Sequence, residues 1–277
     1  MDHAAEISRT NPTCFLFLID QSGSMSDQMS GTTKKKADGV ADAINRLLKN
    51  LVIRCSKPEV RDYFDIGVIG YGNAAGPAFG GQLAGRALVP ISEVATKPAR
   101  MEDRIQKVED GAGGFIEQSV KFAVWFDAVA SNGTPMCEAF RQANQLLRDW
   151  VAQHPGSYPP TVINITDGES GDGDPTGDAK ALTALSTSDG GVLLFNCHIS
   201  SAGAASVEFP DSEDGLPDEN AKLLFRISSK LPESLRKAAA AAGYSFGSEA
   251  RGFVFNADLV KLIEFLNIGT KPADGLR

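Results

Sequence analysis

The chain has 277 residues, 42% of them hydrophobic and 22% charged, and its formal net charge is -8. This composition is typical of one globular α/β domain with insertions, and the acidic balance argues against nucleic acid as the main partner, since phosphate binding needs a basic surface. No apolar stretch typical of a secretory signal is visible, and no run approaches the roughly 18 apolar residues of a membrane span, so we expect a cytoplasmic protein without a membrane segment.

Apolar spacing predicts the elements in the first half of the chain. Residues 14–20 form a continuous apolar run, which is typical of a strand buried on both faces. Apolar residues then recur at three- and four-residue spacing over residues 37–51, which predicts an amphipathic helix. Residues 64–72 predict a second buried strand, and Pro90 suits a short edge strand. Residues 100–129 are expected to contain two short helices separated by glycines, namely Gly111, Gly113 and Gly114.

The same alternation continues in the second half of the chain. A second amphipathic helix is predicted over residues 136–150. Residues 161–169 and 191–200 are apolar runs typical of further buried strands. Residues 252–256 predict the last strand, and Asn256 is expected to cap a final helix, which carries Leu259, Leu262, Ile263 and Leu266.

Strands therefore alternate with helices along most of the chain, which predicts a mostly parallel sheet with helices on both faces. The domain is expected to span residues 13–268, between an N-terminal tail at residues 1–12 and a C-terminal tail at residues 269–277. Residues 203–220 are acidic and contain proline, so they are interpreted as an insertion or a long loop. Residues 221–229 fit a helix or a strand equally well.

Oxygen-bearing side chains follow two of the predicted strands. Asp20, Ser22 and Ser24 form a D-x-S-x-S turn directly after the first strand, and Asp167 lies at the carboxyl end of the third buried strand. Thr134 lies in a Gly-Thr-Pro loop just before a helix. Because ligands of open parallel sheets bind at the carboxyl ends of strands, we expect Asp20 and Asp167 to meet there. Side chains that offer only oxygen suit a hard cation such as Mg²⁺.

This pattern resembles the metal-ion-dependent adhesion site (MIDAS) of von Willebrand factor type A (VWA) and integrin I domains, at all five positions and in the order of elements over nearly the whole chain. The resemblance implies a doubly wound sheet with one antiparallel edge strand. It also implies that Ser22, Ser24 and Thr134 bind one divalent cation directly, namely Mg²⁺ with Mn²⁺ or Ca²⁺ as alternatives, and that Asp20 and Asp167 act largely through waters. One coordination position then stays open for a Glu or Asp of a protein partner, because neutral hydroxyl ligands leave the 2+ charge largely uncompensated.

Without a visible secretory signal, the chain is more similar to intracellular bacterial VWA proteins associated with tellurium resistance than to adhesins. That resemblance implies a signalling or stress-response complex with a Ser/Thr kinase or phosphatase as the partner. The sequence is therefore interpreted as a metal-dependent protein-protein interaction module and not as an enzyme. An exported adhesin that keeps the same site is an alternative.

Other interpretations of these residues stay open. The motif residues could form only a turn and helix caps. A phosphoryl-transfer or hydrolytic enzyme of the HAD type would need a second acid two residues after Asp20, where Ser22 stands. No Lys closely follows Asp167 to balance a phosphate, and no His, Cys or Lys is expected near the site as a general base. A set of acidic residues could bind a second cation or form an acidic rim with helix caps; the set is Glu169, Asp172, Asp174 and Asp178.

Overall fold

The central feature of the fold is a sheet of eight strands, which helices cover on both faces. The computed structural model describes residues 3–56, 59–109, 114–199 and 205–270. Its strands are β1 (Thr13–Asp20), β2 (Phe64–Tyr71), β3 (Ala75–Pro77), β4 (Val89–Pro90), β5 (Arg100–Glu109), β6 (Phe115–Val124), β7 (Thr161–Thr166), β8 (Ser186–Thr187), β9 (Gly190–Gly191), β10 (Leu193–Ile199), β11 (Val207–Glu208) and β12 (Phe253–Ala257). Its helices are α1 (Lys36–Cys55), α2 (Ile91–Thr96), α3 (Met136–Gln153), α4 (Thr176–Thr183), α5 (Glu219–Ile227), α6 (Glu233–Ala241) and α7 (Leu259–Gly269).

The strand order confirms the predicted fold class. Neighbouring strands run in the order β11-β12-β10-β7-β1-β2-β3, and β4 also pairs with β2. The five inner strands, from β12 to β2, are parallel to one another. By contrast, β11, β3 and β4 pair in the antiparallel sense at the edges. The sheet is therefore mostly parallel and doubly wound, and its antiparallel strands are confined to the edges.

The order of the strands reverses next to β1. From β1 the chain passes to β2 on one side, and it later returns to β7 on the other side. The parallel register pairs Ile19 with Ile165, so β1 and β7 end at the same edge of the sheet. Asp20 ends β1, and Asp167 directly follows β7. A crevice opens at such a reversal, at the carboxyl ends of the strands, and this is where a ligand can bind.

Alternate residues of β1 contribute to the two layers of the hydrophobic core. Phe15, Phe17 and Ile19 pack in the layer that contains α1 and α7. Leu16 and Leu18 pack in the layer that contains α3, on the other face of the sheet. All five side chains are buried, which explains why the strand is a continuous apolar run. Burial of each side chain stabilises the fold by about 1.5–3 kcal/mol relative to exposure, so a well-packed core holds the end of the strand in place.

The caps of two later helices settle one ambiguity and correct one prediction. Residues 221–229 fall mostly within α5, and Asp218 caps this helix by accepting the N–H of Ala221 at 2.8 Å. The prediction that Asn256 caps the last helix is wrong, because Asn256 belongs to β12. Instead, Asp258 stands directly before α7 and accepts the N–H of Lys261 at 2.9 Å.

Residues 100–124 contain a hairpin, so the prediction of two short helices in this region is wrong. β5 and β6 pair in the antiparallel sense along their whole length. Lys121 forms an ion pair with Asp103 across the strands at 2.8 Å, and Arg104 Cζ lies 3.6 Å from the centre of the Phe122 ring. Such cross-strand pairs join residues far apart in sequence, so local spacing does not predict them. Gly111 and Gly113 lie outside the described residues.

Segments predicted as tails and as an insertion contribute to the packing. Ile7, in the predicted N-terminal tail, is buried in the core. The predicted insertion contains β11 and the buried Phe209, while residues 203 and 204 lie outside the described part of the chain, as do residues 271–277. None of the helices in the described segments combines the length and apolar character that a membrane-spanning helix needs.

Candidate metal centre

Asp20 is held at the end of β1 by two hydrogen bonds and by burial. Its Oδ1 accepts the N–H of Ser22 at 2.8 Å, and its Oδ2 accepts the hydroxyl of Thr166 at 2.7 Å. Burial raises the pKa of Asp20, and the hydrogen bonds from Ser22 and Thr166 oppose this shift only in part. An ionised Asp20 is therefore stabilised by any cation that binds beside it.

Ser22, Ser24 and Asp167 form a chain of neighbouring oxygen atoms. The Oγ atoms of Ser22 and Ser24 are 3.0 Å apart, and Ser24 Oγ donates to Asp167 Oδ1 at 2.8 Å. Ser22 and the Asp167 side chain are buried, and Ser24, which lies between them, is exposed, so solvent reaches this chain of oxygens at Ser24. The turn after β1 and the turn after β7 thus contact each other through side chains that the sequence motif names.

Thr134 lies on a loop whose backbone is tied to both of these turns. The N–H of Ser131 donates to the carbonyl of Gln21 at 2.6 Å, and the N–H of Gly171 donates to the carbonyl of Thr134 at 2.8 Å. Gly133 has a φ of 83°, a left-handed conformation that glycine adopts without strain. In the described parts of the chain, the half-buried Thr134 hydroxyl has no hydrogen-bond partner, so it is available to a ligand.

Lys36, the first residue of α1, forms a buried ion pair with Asp167. Its Nζ lies 2.8 Å from Asp167 Oδ2, and the two side chains are 6% and 1% exposed. Asp27 Oδ2 lies 3.8 Å from the same nitrogen, but this carboxylate is mostly exposed. The expectation that no Lys lies near the site is therefore wrong. No signal for this ion pair was present in the local sequence, because Lys36 precedes the predicted helix of residues 37–51 and ends a run of three lysines.

His198, in β10, is a second residue near Asp167 that the sequence did not predict there. Its Nδ1 accepts the N–H of Asn256 at 3.2 Å, and its ring stacks on Phe255 at 4.5 Å between ring centres. Burial lowers the pKa of His198, and the nearby Asp167 and Asp218 carboxylates oppose this shift. A neutral ring that accepts at Nδ1 carries its proton on Nε2. These contacts indicate that His198 has a structural role beside the site.

The oxygen atoms at this edge of the sheet are suitable ligands for a hard divalent cation. Asp20 and Asp167 supply carboxylates, Ser22 and Ser24 supply hydroxyls, and all these atoms are oxygens, which Mg²⁺ prefers. Counted as ionised, the two carboxylates and the ammonium of Lys36 carry one net negative charge, and the mostly exposed Asp27 carboxylate lies outside this buried group. Within the described ranges, no group of three or more His, Cys, Asp or Glu side chains could hold a metal ion. A metal site at this edge would therefore need the Ser and Thr hydroxyls as ligands in addition to the carboxylates.

The acidic residues that follow Asp167 have partners within the chain. Asp172 accepts the N–H groups of Cys137 and Glu138, each at 2.9 Å, and so caps α3. The remaining three also have partners: Glu169 with Asn220, Asp174 with the N–H of Thr176, and Asp178 with Arg141. These contacts favour the interpretation as an acidic rim with helix caps over a second cation site.

Asp172→Ala is expected to lower the free energy of unfolding by about 1–2 kcal/mol, because two N–H groups of α3 lose their capping acceptor. Burial raises the pKa of Asp172, but the hydrogen bonds from Cys137, Glu138 and Ser170 outweigh it, and the pKa is lowered overall. The contribution of this cap is therefore full above the ordinary Asp pKa of about 3.9 and is lost as the pH falls through the lower folded value. Urea titrations at decreasing pH measure it: the gap between wild type and variant should shrink, and a constant gap contradicts the assignment.

A small cavity adjoins the candidate site between the loop after β7 and α5. Its volume is about 170 Å³. Met136, Leu223 and Leu224 line it with apolar surface, and Glu169 and Asp174 line it with carboxylates. A side chain that enters this cavity would contact apolar groups below an acidic rim.

The comparisons with known proteins concern the fold. No protein-family model matches the chain, and no curated protein matches it. Among solved structures, the chain is similar to the pilus adhesin SpaC from Lactobacillus rhamnosus GG, at 15% identity and a TM-score of 0.48, over 95% of this chain and 31% of that chain. It thus spans about a third of the length of that adhesin.

Two further solved structures show comparable likenesses. The chain is similar to the manganese-loaded TRAP protein of Plasmodium vivax, at 14% identity and a TM-score of 0.41, over 87% of this chain and 70% of that chain. It is also similar to the pilus adhesin RrgA from Streptococcus pneumoniae, at 14% identity and a TM-score of 0.32, over 60% of this chain and 21% of that chain. At such low identities, and with TM-scores under 0.5, these likenesses assign neither a ligand nor a role to this chain.

Proposed function

We propose that this chain is a metal-dependent protein-interaction module of the VWA type, in which one divalent cation at the carboxyl ends of β1 and β7 binds an acidic side chain of a protein partner. The contact of Ser24 with Asp167 at 2.8 Å, beside the Ser22 hydroxyl at 3.0 Å from Ser24, carries this proposal. These oxygens come from two turns that are distant in the chain. Hydroxyl and carboxylate oxygens that converge in this way have the chemistry of hard-cation ligands.

In this proposal Ser22, Ser24 and Thr134 hold the cation directly, and Asp20 and Asp167 act largely through water. Mg²⁺ is the expected ion, with Mn²⁺ or Ca²⁺ as alternatives. When bound, the ion supplies an electrophilic position for a carboxylate, because neutral hydroxyls leave most of its charge uncompensated. Asp20 also orients the turn, since its Oδ1 accepts the N–H of Ser22 at 2.8 Å.

Binding, and not catalysis, is the role proposed for Asp20. Phosphoryl transfer to an aspartate needs an accessible carboxylate oxygen, whereas Asp20 is 1% exposed. Both of its oxygens accept hydrogen bonds, from Ser22 and from Thr166. Lys36 would balance the charge of a phosphate only if it left Asp167, with which it pairs at 2.8 Å. These contacts support the binding proposal over the enzyme alternative.

The proposed partner is a protein that presents a Glu or Asp to the ion. In this proposal the partner residues that flank this acid contact the apolar side chains of the neighbouring cavity, which Glu169 and Asp174 also line. The resemblance to VWA proteins associated with tellurium resistance suggests a Ser/Thr kinase or phosphatase. In this proposal the complex acts in bacterial signalling or stress response in the cytoplasm.

Calorimetric titration of the metal-free chain with Mg²⁺ or Mn²⁺ tests the site itself. One ion should bind per chain, and Ser24→Ala should weaken binding by on the order of tenfold or more, because a ligand is removed. Ser26→Ala is the matched control, since Ser26 lies in the same 3-10 turn but donates to the carbonyl of Gly23 at 2.8 Å. If wild type binds no ion, or if both variants lose affinity equally, the proposed site is wrong.

Affinity capture from the native cell, run with Mg²⁺ and with EDTA, tests the interaction. Candidate partners are proteins retained by the wild type in Mg²⁺ and released both by EDTA and by the Ser24→Ala bait. For each candidate, replacing the presented Glu or Asp by its amide should abolish binding. A partner that binds equally well in excess EDTA contradicts the metal-dependent mechanism.

A further inference from the structure

Lys36 brings a fixed positive charge into the proposed metal site. We propose that Lys36 is a built-in counter-ion, which neutralises Asp167 in the metal-free protein and lowers the affinity of the site for its cation. This inference rests on the proposed function, because it concerns the regulation of the same site. It assigns to Lys36 a role that the sequence motif does not include.

The position of Lys36 is costly unless its ammonium has a partner. The residue is 5% exposed, and burial of an ammonium carries a large desolvation penalty. Lys36 is also the first residue of α1, where the helix dipole disfavours a cation. The ion pair with Asp167 at 2.8 Å offsets these costs, and the Lys36 N–H also donates to the carbonyl of Asp27 at 2.8 Å. The start of α1 therefore holds this ammonium against Asp167.

The two oxygens of Asp167 are divided between Lys36 and the serine turn. Oδ2 accepts from Lys36, and Oδ1 accepts from Ser24. A cation held by Ser22 and Ser24 would therefore meet Asp167 on the side of Oδ1, directly or through water, and Lys36 would keep its contact with Oδ2. Two positive charges then share one carboxylate, and their repulsion lowers the affinity for the metal ion.

The charge count couples retention of the metal to binding of the partner. Counted as ionised, and with the solvent-exposed Asp27 left out, Asp20, Asp167 and Lys36 together carry one net negative charge, so a divalent ion would bring their sum to one positive charge. The carboxylate of a partner then makes the cluster neutral. Without Lys36, the ion alone would neutralise the two aspartates, and the partner would add an excess negative charge. Lys36 thus makes metal and partner strengthen each other, since such coupling is reciprocal.

Mn²⁺ affinity, measured by electron paramagnetic resonance of the free ion, tests this role. Lys36→Met should bind Mn²⁺ about tenfold more tightly or better, because a repelling charge a few ångströms away is removed. Lys36→Arg keeps the charge and should resemble the wild type. Lys35→Met is the matched control, because Lys35 is the neighbouring lysine and is exposed. In EDTA, Lys36→Met should also melt about 5 °C lower than wild type, and saturating Mn²⁺ should recover this loss.

The outcomes separate this inference from the proposed function. If wild type binds Mn²⁺ but Lys36→Met binds it equally or more weakly, the counter-ion role is overturned and the metal site remains. An equal gain in Mn²⁺ affinity in Lys35→Met also overturns the counter-ion role of Lys36, because the effect then comes from the overall surface charge. If neither wild type nor Lys36→Met binds Mn²⁺, both proposals fail. Should Lys36→Met not fold, Lys36→Gln removes the charge but keeps a hydrogen-bond donor, and the same tightening is expected.

Discussion

Asp167→Ala should lower the free energy of unfolding of the metal-free protein by about 3 kcal/mol, because it leaves the buried Lys36 ammonium without its partner. The two side chains are almost completely buried, so solvent does not replace the lost contact. Asp27 lies 3.8 Å from the same ammonium and compensates in part, which places the loss at the lower end of the range for a broken buried ion pair. Ser24 also loses the acceptor of its hydroxyl.

The double variant Asp167→Ala/Lys36→Met is the control for this effect. It removes both charges, so it should be more stable than Asp167→Ala alone, because no buried charge is left unpaired. Denaturant titrations of the wild type, both single variants and the double variant in EDTA give the coupling energy. If the losses of the single variants simply add in the double variant, the ion pair does not stabilise the fold in the way described.

Asp20→Asn should abolish metal binding, with a loss of affinity of a hundredfold or more, while changing the stability of the metal-free protein by only about 1 kcal/mol. The amide has the same size as the carboxylate, and its oxygen still accepts the N–H of Ser22. The Thr166 hydroxyl loses the Oδ2 acceptor but also lies 3.1 Å from the carbonyl of Gly168, which can accept it. Because burial raises the pKa of Asp20, removing its charge relieves a desolvation cost that offsets the lost hydrogen bond.

Two measurements separate these effects for Asp20→Asn. Calorimetry with Mn²⁺ reports the affinity, and thermal unfolding in EDTA reports the stability. Asp149→Asn is the matched control, since it makes the same charge change at an exposed residue near the far end of α3. If Asp20→Asn binds Mn²⁺ as tightly as this control does, Asp20 has no part in the site.

Local patterns predicted the elements that hold the site. The uninterrupted apolar run of residues 14–20 predicted a strand buried on both faces, and β1 contributes alternate residues to both core layers. The spacing of apolar residues predicted α1 and α3 because a helix that packs on a sheet needs one apolar face. Asp20 and Asp167 were expected to meet because both follow strands of a parallel sheet, and Ser24 links the two turns through Asp167 at 2.8 Å.

The sequence did not predict the features that depend on pairing between distant residues. The hairpin of β5 and β6 is stabilised by cross-strand contacts such as Lys121 with Asp103. Local spacing does not reveal such contacts, so Gly111, Gly113 and Gly114 were interpreted as breaks between two helices. Lys36 stands in a run of three lysines, which is typical of a solvated loop, and only in the folded chain is the third of them buried, against Asp167.

Local sequence was enough to predict the alternation of strands and helices and the oxygen-bearing residues at the strand ends, because both depend on the near neighbours of each residue and on the periods of 2.0 and 3.6 residues. By contrast, the hairpin of residues 100–124 and the ion pair of Lys36 with Asp167 are visible only in the folded chain. Both outcomes depend on burial against distant parts of the chain, where removal from water decides which charged groups must pair.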